Sequence, residues 1–150
     1  MNHPYNEDGQ LKRLVEEYKK YETLYIAFDF GNTIWKHDEY KNQYEDNHDA
    51  VHWDVVNMLK KARELGMKLC LWTSCYSDEE EQLKADLCKA WGIDPDYINW
   101  SPLSPKAKKP HFNLLLDDRA GLESGYNVLR RLICMAKHIN WEKEKDEKIS

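Results

Sequence analysis

Three stretches of the chain are almost continuously apolar, and each has about the length of one β-strand. They are residues 24–30 (LYIAFDF), 67–72 (MKLCLW) and 112–116 (FNLLL). Runs of this kind, in contrast to alternating apolar and polar residues, are typical of strands that are covered on both faces of a sheet. The sequence therefore predicts three buried strands, and the run YINW at 97–100 predicts a short fourth strand.

Apolar residues recur at helical spacing between and around these strands. The predicted helices cover residues 11–22, 51–65, 77–91 and 123–141. Ser77 and Glu80 form a capping-box pattern at the start of the third helix. Gly66 and Gly92 follow the second and third helices, where glycine commonly ends a helix. Residues 36–50 are polar and lack a period, which predicts a loop or a small flap.

After a first helix, these elements follow one another as strand, helix, strand, helix, strand, strand, helix. That order is typical of a parallel α/β sheet with helices on both faces, which makes a three-layer α/β/α domain. We expect the domain to cover residues 23–141, after a lead-in and amphipathic helix at 1–22 and before a charged tail at 142–150. The first helix either packs on the domain or makes an oligomer contact, so the sequence leaves both a monomer and a homo-oligomer as alternatives.

The charge balance narrows the classes of partner. The 150 residues carry a formal net charge of −5, and the one dense basic stretch is KAKK at 106–109. Nucleic-acid binding needs many cationic contacts to phosphates, so the overall charge does not indicate it. A local basic loop can still bind one phosphate group.

Targeting and redox features of the sequence point to the cytoplasm. The apolar runs are too short to cross a bilayer, and the N-terminal MNHPYNEDGQ lacks the basic and apolar regions of a secretory signal. The four cysteines have no CxxC spacing, so we interpret them as reduced thiols in a cytoplasmic protein with no membrane segment.

Chemically competent side chains follow the predicted strands. In open parallel sheets, ligands bind beyond the carboxyl ends of the strands, where this chain has residues 29–33, 73–75, 99–101 and 117–119. Asp29 and Asp117 at one edge would repel each other unless a cation lay between them, and Mg²⁺ prefers carboxylate oxygens. Thr73 or Ser74 can donate a hydrogen bond to a phosphate oxygen, and a lysine from 106–109 can neutralise its charge. Asp29 can attack phosphorus and carry it as an aspartyl phosphate.

Four short motifs give the chain a resemblance to a known superfamily. The first two are FDFGNTIW at the end of the first strand and LCLWTS at the end of the second. The other two are KKPHF, which leads into the last strand, and NLLLDDRAGL at the end of that strand. In this order they resemble the four motifs of the haloacid dehalogenase (HAD) superfamily of phosphotransferases, above all its small bacterial and phage members. The resemblance implies a HAD-like Rossmannoid sheet. Segments 34–50 and 101–110 are too short for a full cap domain, so we expect an open site.

The resemblance also implies roles for the motif residues. Asp29 would be the nucleophile. The implied Mg²⁺ ligands are Asp29, the Gly31 carbonyl, Asp117 and Asp118. The implied phosphate-binding residues are Asn32, Thr73, Ser74 and Lys109, of which Thr73 and Lys109 also act in catalysis. The implied function is Mg²⁺-dependent phosphatase or phosphotransferase activity on a phosphorylated small molecule or a nucleotide end.

The first motif departs from the superfamily at one position. Gly31 stands where the superfamily has a second Asp, the residue that gives a proton to the leaving oxygen and later activates water. A positioned general acid or base contributes roughly 10²- to 10⁴-fold to a rate, so we expect slow turnover of alkyl phosphates and a persistent intermediate on Asp29. A flap residue can supply the proton instead, and the candidates are His37, Asp38, His48 and Asp49.

Two other interpretations stay open. One is a HAD-like domain without catalytic activity that binds a phosphorylated ligand or a protein partner, which the glycine at 31 favours. The other is the phosphate-binding D-x-G-x-T turn of actin-like ATPases and sugar kinases, which AFDFGNT matches. The DFG magnesium loop of protein kinases is excluded, because the chain lacks their Gly-rich loop and their H-R-D loop.

Overall fold

The computed structural model describes residues 6–36, 48–106 and 111–149. Its strands are β1 (Tyr25–Phe28), β2 (Lys68–Leu71), β3 (Tyr97–Ile98) and β4 (Leu114–Leu116). Its helices are α1 (Glu7–Tyr21), α2 (Trp53–Glu64), α3 (Asp78–Ala90) and α4 (Leu122–Ile149), and a 3₁₀ turn covers His48–Ala50. Lys109 and the flap candidates His37 and Asp38 lie outside the described residues.

The four strands form one parallel sheet in the order β3-β2-β1-β4. β1 lies in the interior of the sheet, where Ala27 pairs with Cys70 of β2 on one side and with Leu115 of β4 on the other. β3 pairs with β2 through Tyr97 and Ile98. The prediction of an α/β fold with a parallel sheet is confirmed. Each strand lies within the apolar run that predicted it and is shorter than that run.

The first turns of α1 and α3 are capped by side chains. α1 begins before residue 11, its predicted start, because the Asn6 side chain accepts a hydrogen bond from the Gly9 N–H at 2.7 Å and so caps the helix. α3 begins after Ser77, whose hydroxyl accepts from the Glu80 N–H at 3.1 Å. A capping box consists of two reciprocal hydrogen bonds, and this bond from the Glu80 N–H to Ser77 is the first of them. The prediction that α3 starts at Ser77 is therefore confirmed.

α4 is longer than its apolar pattern predicted. The predicted end was Trp141, yet the helix continues through the charged tail to Ile149. Lys and Glu have high helix propensity, and pairs such as His138 and Glu142, at 3.4 Å, lie one turn apart on its surface. Local propensity thus extends the helix beyond the end of its apolar face.

The first helix is part of the buried core. α1 packs against α4, and its buried residues are Leu11, Leu14, Val15 and Tyr18. The Tyr18 hydroxyl donates to the Leu65 carbonyl at 3.1 Å, which ties α1 to the turn that follows α2. α1 therefore contributes apolar surface to the same core as the sheet.

The helices and the cysteines of the described chain bear on the predictions about membranes and thiols. Among the described helices, none combines the length and the apolar character needed to cross a bilayer. The four cysteines are free, and Cys70 and Cys88 are buried. Burial, together with the nearby charge of Asp96, raises the pKa of the Cys70 thiol to about 12, which makes it a poor nucleophile.

Candidate functional site

The ends of the strands meet along one edge of the sheet. Backbone hydrogen bonds between neighbouring strands continue one residue beyond β1, β2 and β3. They run from the Asp29 N–H to the Leu116 carbonyl (2.9 Å), from Trp72 to Phe28 (2.9 Å) and from Asn99 to Leu71 (2.8 Å). Because all the strands are parallel, the loops that follow them emerge side by side. Side chains from these loops can therefore act on one ligand.

Three carboxylates at this edge form an acid cluster, which consists of Asp29 after β1 and of Asp117 and Asp118 after β4. One oxygen of each residue lies within 4.8 Å of the others. Asp29 and Asp117 are half-buried, and Asp118 is exposed. Backbone amides orient two of them, because the Phe30 N–H donates to Asp29 at 2.7 Å and the Arg119 N–H donates to Asp117 at 2.9 Å. This spacing suits oxygen ligands around a single cation.

Asp118 shows the electrostatic effect of this crowding. Its pKa is raised above the ordinary value of 3.8, first because its carboxyl is desolvated. The negative charge of Asp117 and a hydrogen bond to the Asp117 side chain raise the pKa further, while Arg119 opposes the shift. Desolvation and like charge both disfavour the ionised form, so a positive charge at the acid cluster would act in the opposite direction.

The loop after β1 is a tight turn that ties the acids together. Asn32 has a φ of +57°, a left-handed conformation that Asn adopts more readily than most residues. The Trp35 N–H donates to the Phe30 carbonyl at 3.0 Å and closes the turn. Thr33 is fully buried, and its hydroxyl accepts from the Asp118 N–H at 3.2 Å. Thr33 therefore holds the loop after β1 against the loop after β4.

Thr73, at the end of β2, is held from two sides. Its N–H donates to the Asn99 side chain at 2.8 Å, which reaches across from the loop after β3. Its hydroxyl accepts from the Lys84 ammonium of α3 at 2.9 Å. That ammonium also donates to the Ser74 carbonyl at 2.9 Å and lies 3.4 Å from the Glu80 carboxylate. We call Thr73, Glu80 and Lys84 the lysine cluster.

A cleft of about 500 Å³ joins the acid cluster to the loop after β2. The residues predicted for the site that line it are Asp29, Gly31, Asn32, Thr73, Ser74, Asp117 and Asp118. Trp72, Asn99 and Arg119 complete the lining. Lys109, the remaining predicted residue, lies outside the described part of the chain. The described flap candidates His48 and Asp49 are not among the lining residues.

Two residues outside the four motifs shape this site. Lys84 lies on the same face of α3 as the buried residues Leu87 and Cys88, and a lysine at an apolar-face position is a signal for a buried cation. Asn99 has a φ of +49° directly after β3. Its position beyond a strand end was visible in the sequence, but its bond to Thr73 depends on the register of β2 and β3.

Comparison with known proteins adds no family to this geometry. The chain matches no protein-family model, and a search of curated proteins gives no significant match. The assignment of the site therefore depends on the arrangement of its residues.

Proposed function

We propose that the chain is a Mg²⁺-dependent phosphatase or phosphotransferase of the HAD type, with Asp29 as its nucleophile. The acid cluster carries the proposal, because residues from two adjacent strands bring three carboxylates within 4.8 Å of one another. Thr73 and Ser74, which carry hydroxyl groups, line the same cleft as these acids. A phosphoryl group suits this combination, since it can bridge a cation and hydrogen-bond donors. On this proposal the finer fold is HAD-like, with three layers and no full cap.

The acid cluster and the Gly31 carbonyl are the groups that would hold Mg²⁺. They fit because the ion prefers hard oxygen ligands and because a divalent cation offsets the repulsion among the carboxylates. When bound, the ion supplies Lewis-acid chemistry by withdrawing electrons from a phosphate oxygen.

Asp29 performs the covalent step in this proposal. Its carboxylate oxygen attacks phosphorus, the bond from phosphorus to the leaving oxygen breaks, and the leaving group departs with the electron pair. Water then attacks the aspartyl phosphate, which releases inorganic phosphate and restores the carboxylate. The Phe30 N–H at 2.7 Å holds the Asp29 carboxylate in one orientation. Thr73, Ser74 and Asn32 bind the phosphate oxygens, and the predicted Lys109 adds positive charge.

Gly31 restricts the substrate class. A glycine offers no side chain to protonate the leaving oxygen, so anhydrides and aryl phosphates should react faster than alkyl phosphates. A second cavity, of about 570 Å³, shares Asp118 with the cleft, and its lining includes Val55, Leu122 and Tyr126. These apolar and aromatic side chains suit the organic part of the substrate, which we propose to be a phosphorylated small molecule or a nucleotide end.

One residue favours a second function. Gly31 is consistent with a domain that binds a phosphorylated ligand and does not turn it over. The actin-like interpretation has less support. In actin-like folds the phosphate-binding turn leads into a second strand that pairs antiparallel with the first in the same sheet. In this structure β1 pairs in parallel with β2 on one side and with β4 on the other.

Hydrolysis of p-nitrophenyl phosphate in the presence of Mg²⁺ tests the proposal. We expect slow release of nitrophenolate by the wild type and a loss of about 10³-fold or more in Asp29→Asn, because an amide is not a nucleophile. Asp86→Asn is the matched control, since it removes the same charge from an exposed position on α3. Turnover that survives Asp29→Asn would contradict the proposal. Phosphate binding without turnover would support the non-catalytic alternative.

A further inference from the structure

His52 lines the second cavity, the one that shares Asp118 with the cleft. The two cavities therefore meet at a residue of the acid cluster. The backbone attaches His52 to the loop after β1, because its N–H donates to the Ile34 carbonyl at 2.8 Å. His52 is thus a neighbour of any part of a substrate that enters the second cavity.

The imidazole ring of His52 is oriented by a hydrogen bond to the same loop. Its Nδ1 lies 3.1 Å from the carbonyl oxygen of Thr33. A carbonyl oxygen can only accept, so Nδ1 carries the hydrogen in this contact. Nε2 is then the nitrogen that gains or loses a proton. Because the bond to Thr33 persists in both states, proton exchange at Nε2 leaves the orientation of the ring unchanged.

The structural duties of His52 leave Nε2 available. Within residues 6–36, 48–106 and 111–149, the ring makes its one hydrogen bond to Thr33 and forms no ion pair. His52 is the N-cap residue of α2, yet its side chain makes no capping hydrogen bond. N-cap positions favour Asn, Asp and Ser, so helix capping does not explain a histidine here.

We propose that His52 is the catalytic residue that exchanges the proton that Gly31 cannot carry. This inference rests on the proposed function, because it needs a phosphoryl group at the acid cluster and a leaving group in the second cavity. Histidine is the side chain that most often transfers protons in catalysis. Its two nitrogens suit the task here, since one holds the loop and the other faces the exchange.

The proton passes through Nε2 in both steps of the reaction. In the first step, the imidazolium gives its Nε2 proton to the leaving oxygen while the bond from phosphorus to that oxygen breaks. The leaving group departs as a neutral phenol or alcohol, and the ring becomes neutral. In the second step, Nε2 takes a proton from the water that attacks phosphorus, and the electrons of the breaking bond return to the Asp29 carboxylate. The imidazolium is restored as inorganic phosphate leaves.

This proton transfer serves only leaving groups that enter the second cavity. The side chains of Val55, Leu122 and Tyr126 in its lining suit an aromatic ring. A small alkyl group gains few contacts there, so its oxygen is not held beside His52. The preference for aryl phosphates that follows from Gly31 therefore remains.

A pair of substrates with the same ring tests the inference. Phenyl phosphate needs a proton on its leaving oxygen, whereas nitrophenolate leaves p-nitrophenyl phosphate readily without one. We expect His52→Asn to lower kcat/KM about 10²-fold for phenyl phosphate and about threefold or less for p-nitrophenyl phosphate. Asn can cap α2 and donate to the Thr33 carbonyl, so the variant removes proton transfer and keeps the local contacts. His138→Asn, on the exposed surface of α4, is the matched control and should change neither value.

The protonation pattern of the ring gives a second readout that does not depend on activity. ¹⁵N NMR of the wild-type protein with labelled histidine, recorded without Mg²⁺ at alkaline pH, shows which nitrogen of a neutral ring carries the hydrogen. We expect Nδ1–H for His52, whose signals are those absent from the His52→Asn spectrum. A neutral ring with its hydrogen on Nε2 would overturn the inference.

The kinetic results can also overturn it. Equal losses for the two substrates would mean a structural role, and an unchanged rate for phenyl phosphate in His52→Asn would mean no role. A loss confined to phenyl phosphate in Tyr126→Phe, with His52→Asn unaffected, would assign the proton to Tyr126. Thermal melts show which variants are folded, and His52→Gln replaces His52→Asn if that protein is not.

The failure of this inference can be told apart from the failure of the proposed function. A wild type that turns over neither substrate, or turnover that survives Asp29→Asn, overturns both. Turnover that depends on Asp29 but not on His52 overturns the inference alone.

Discussion

The acid cluster and the lysine cluster lie at the same edge of the sheet, yet their charges are balanced in different ways. In the acid cluster, three carboxylates lie within 4.8 Å of one another, and the pKa of Asp118 is raised. In the lysine cluster, the buried ammonium of Lys84 meets the Glu80 carboxylate and two oxygen acceptors within 3.4 Å. The acid cluster concentrates negative charge at the cleft. In the lysine cluster, the charges of Lys84 and Glu80 offset each other.

This difference separates ligand binding from positioning. Like charges at close range are stabilised by an added counter-charge, and for carboxylates at a protein surface a divalent cation is the usual one. A group whose charges already balance can instead hold its neighbours in fixed positions. We therefore propose that the acid cluster binds the ligand, whereas the lysine cluster holds α3 against the loop after β2 through Thr73 and Ser74.

Breaking the balance in the lysine cluster should give the largest change in stability. Glu80→Gln removes the carboxylate beside Lys84 and leaves the ammonium buried, so we expect the free energy of unfolding to fall by about 2 kcal/mol. Denaturant unfolding measures the change. Glu79→Gln is the matched control, because it removes the same charge from the same first turn of α3 at an exposed position. Equal losses in the two variants would contradict a special role for Glu80.

Adding an acid to the other cluster should change the rate. Gly31→Asp places a carboxyl group where the superfamily has its proton carrier, and we expect turnover of alkyl phosphates to rise about tenfold or more. The gain with p-nitrophenyl phosphate should be smaller, because nitrophenolate needs little help from an acid. Steady-state kcat/KM for both substrates measures the difference. Gly31→Asn, which has a similar size and no acidic proton, is the control, and an equal gain in that variant would count against the missing-acid explanation.

Removing an acid from the acid cluster should stabilise the protein, in contrast to Glu80→Gln. We expect this change in stability to be the smallest of the three effects. Since the pKa of Asp118 is raised in the folded protein, its ionised form lowers stability above that pKa, and the effect disappears as the pH falls toward the ordinary value of 3.8. In a chelator, Asp118→Asn should therefore raise Tm slightly at neutral pH and leave it unchanged at acid pH. Melting curves across this pH range test the sign, with the exposed Asp146→Asn as control. A lower Tm at neutral pH would contradict the proposed repulsion.

The strands and the residues at their ends could be predicted because both signals are local. A buried parallel strand is a nearly continuous apolar run, as in residues 24–30, and the acid at its end follows in the next position. Ser77 and Glu80 indicated the start of α3 for the same reason, because a capping box spans a single turn. The end of α4 was misplaced, since the apolar pattern ends before the helix does.

The lysine cluster could be predicted only in part, because one of its members meets the others only in the folded chain. Glu80 and Lys84 stand four residues apart on α3, at the spacing of a helical ion pair, but no local spacing relates them to Thr73, which follows β2. The local signal of Lys84 is its place on the apolar face of α3, beside Leu87 and Cys88. The bond from Thr73 to Asn99 likewise requires the register between β2 and β3, which a single sequence does not contain.

A crystal structure with Mg²⁺ and beryllium fluoride tests the central claim, that the acid cluster and Asp29 receive a phosphoryl group. Beryllium fluoride imitates a phosphoryl group on a carboxylate. We predict an adduct on an Asp29 oxygen, one Mg²⁺ ion bound by Asp29 and Asp117, and a fluorine atom within hydrogen-bonding distance of the Thr73 hydroxyl. Density without an adduct on Asp29, or an acid cluster that stays empty at saturating Mg²⁺, would contradict the account.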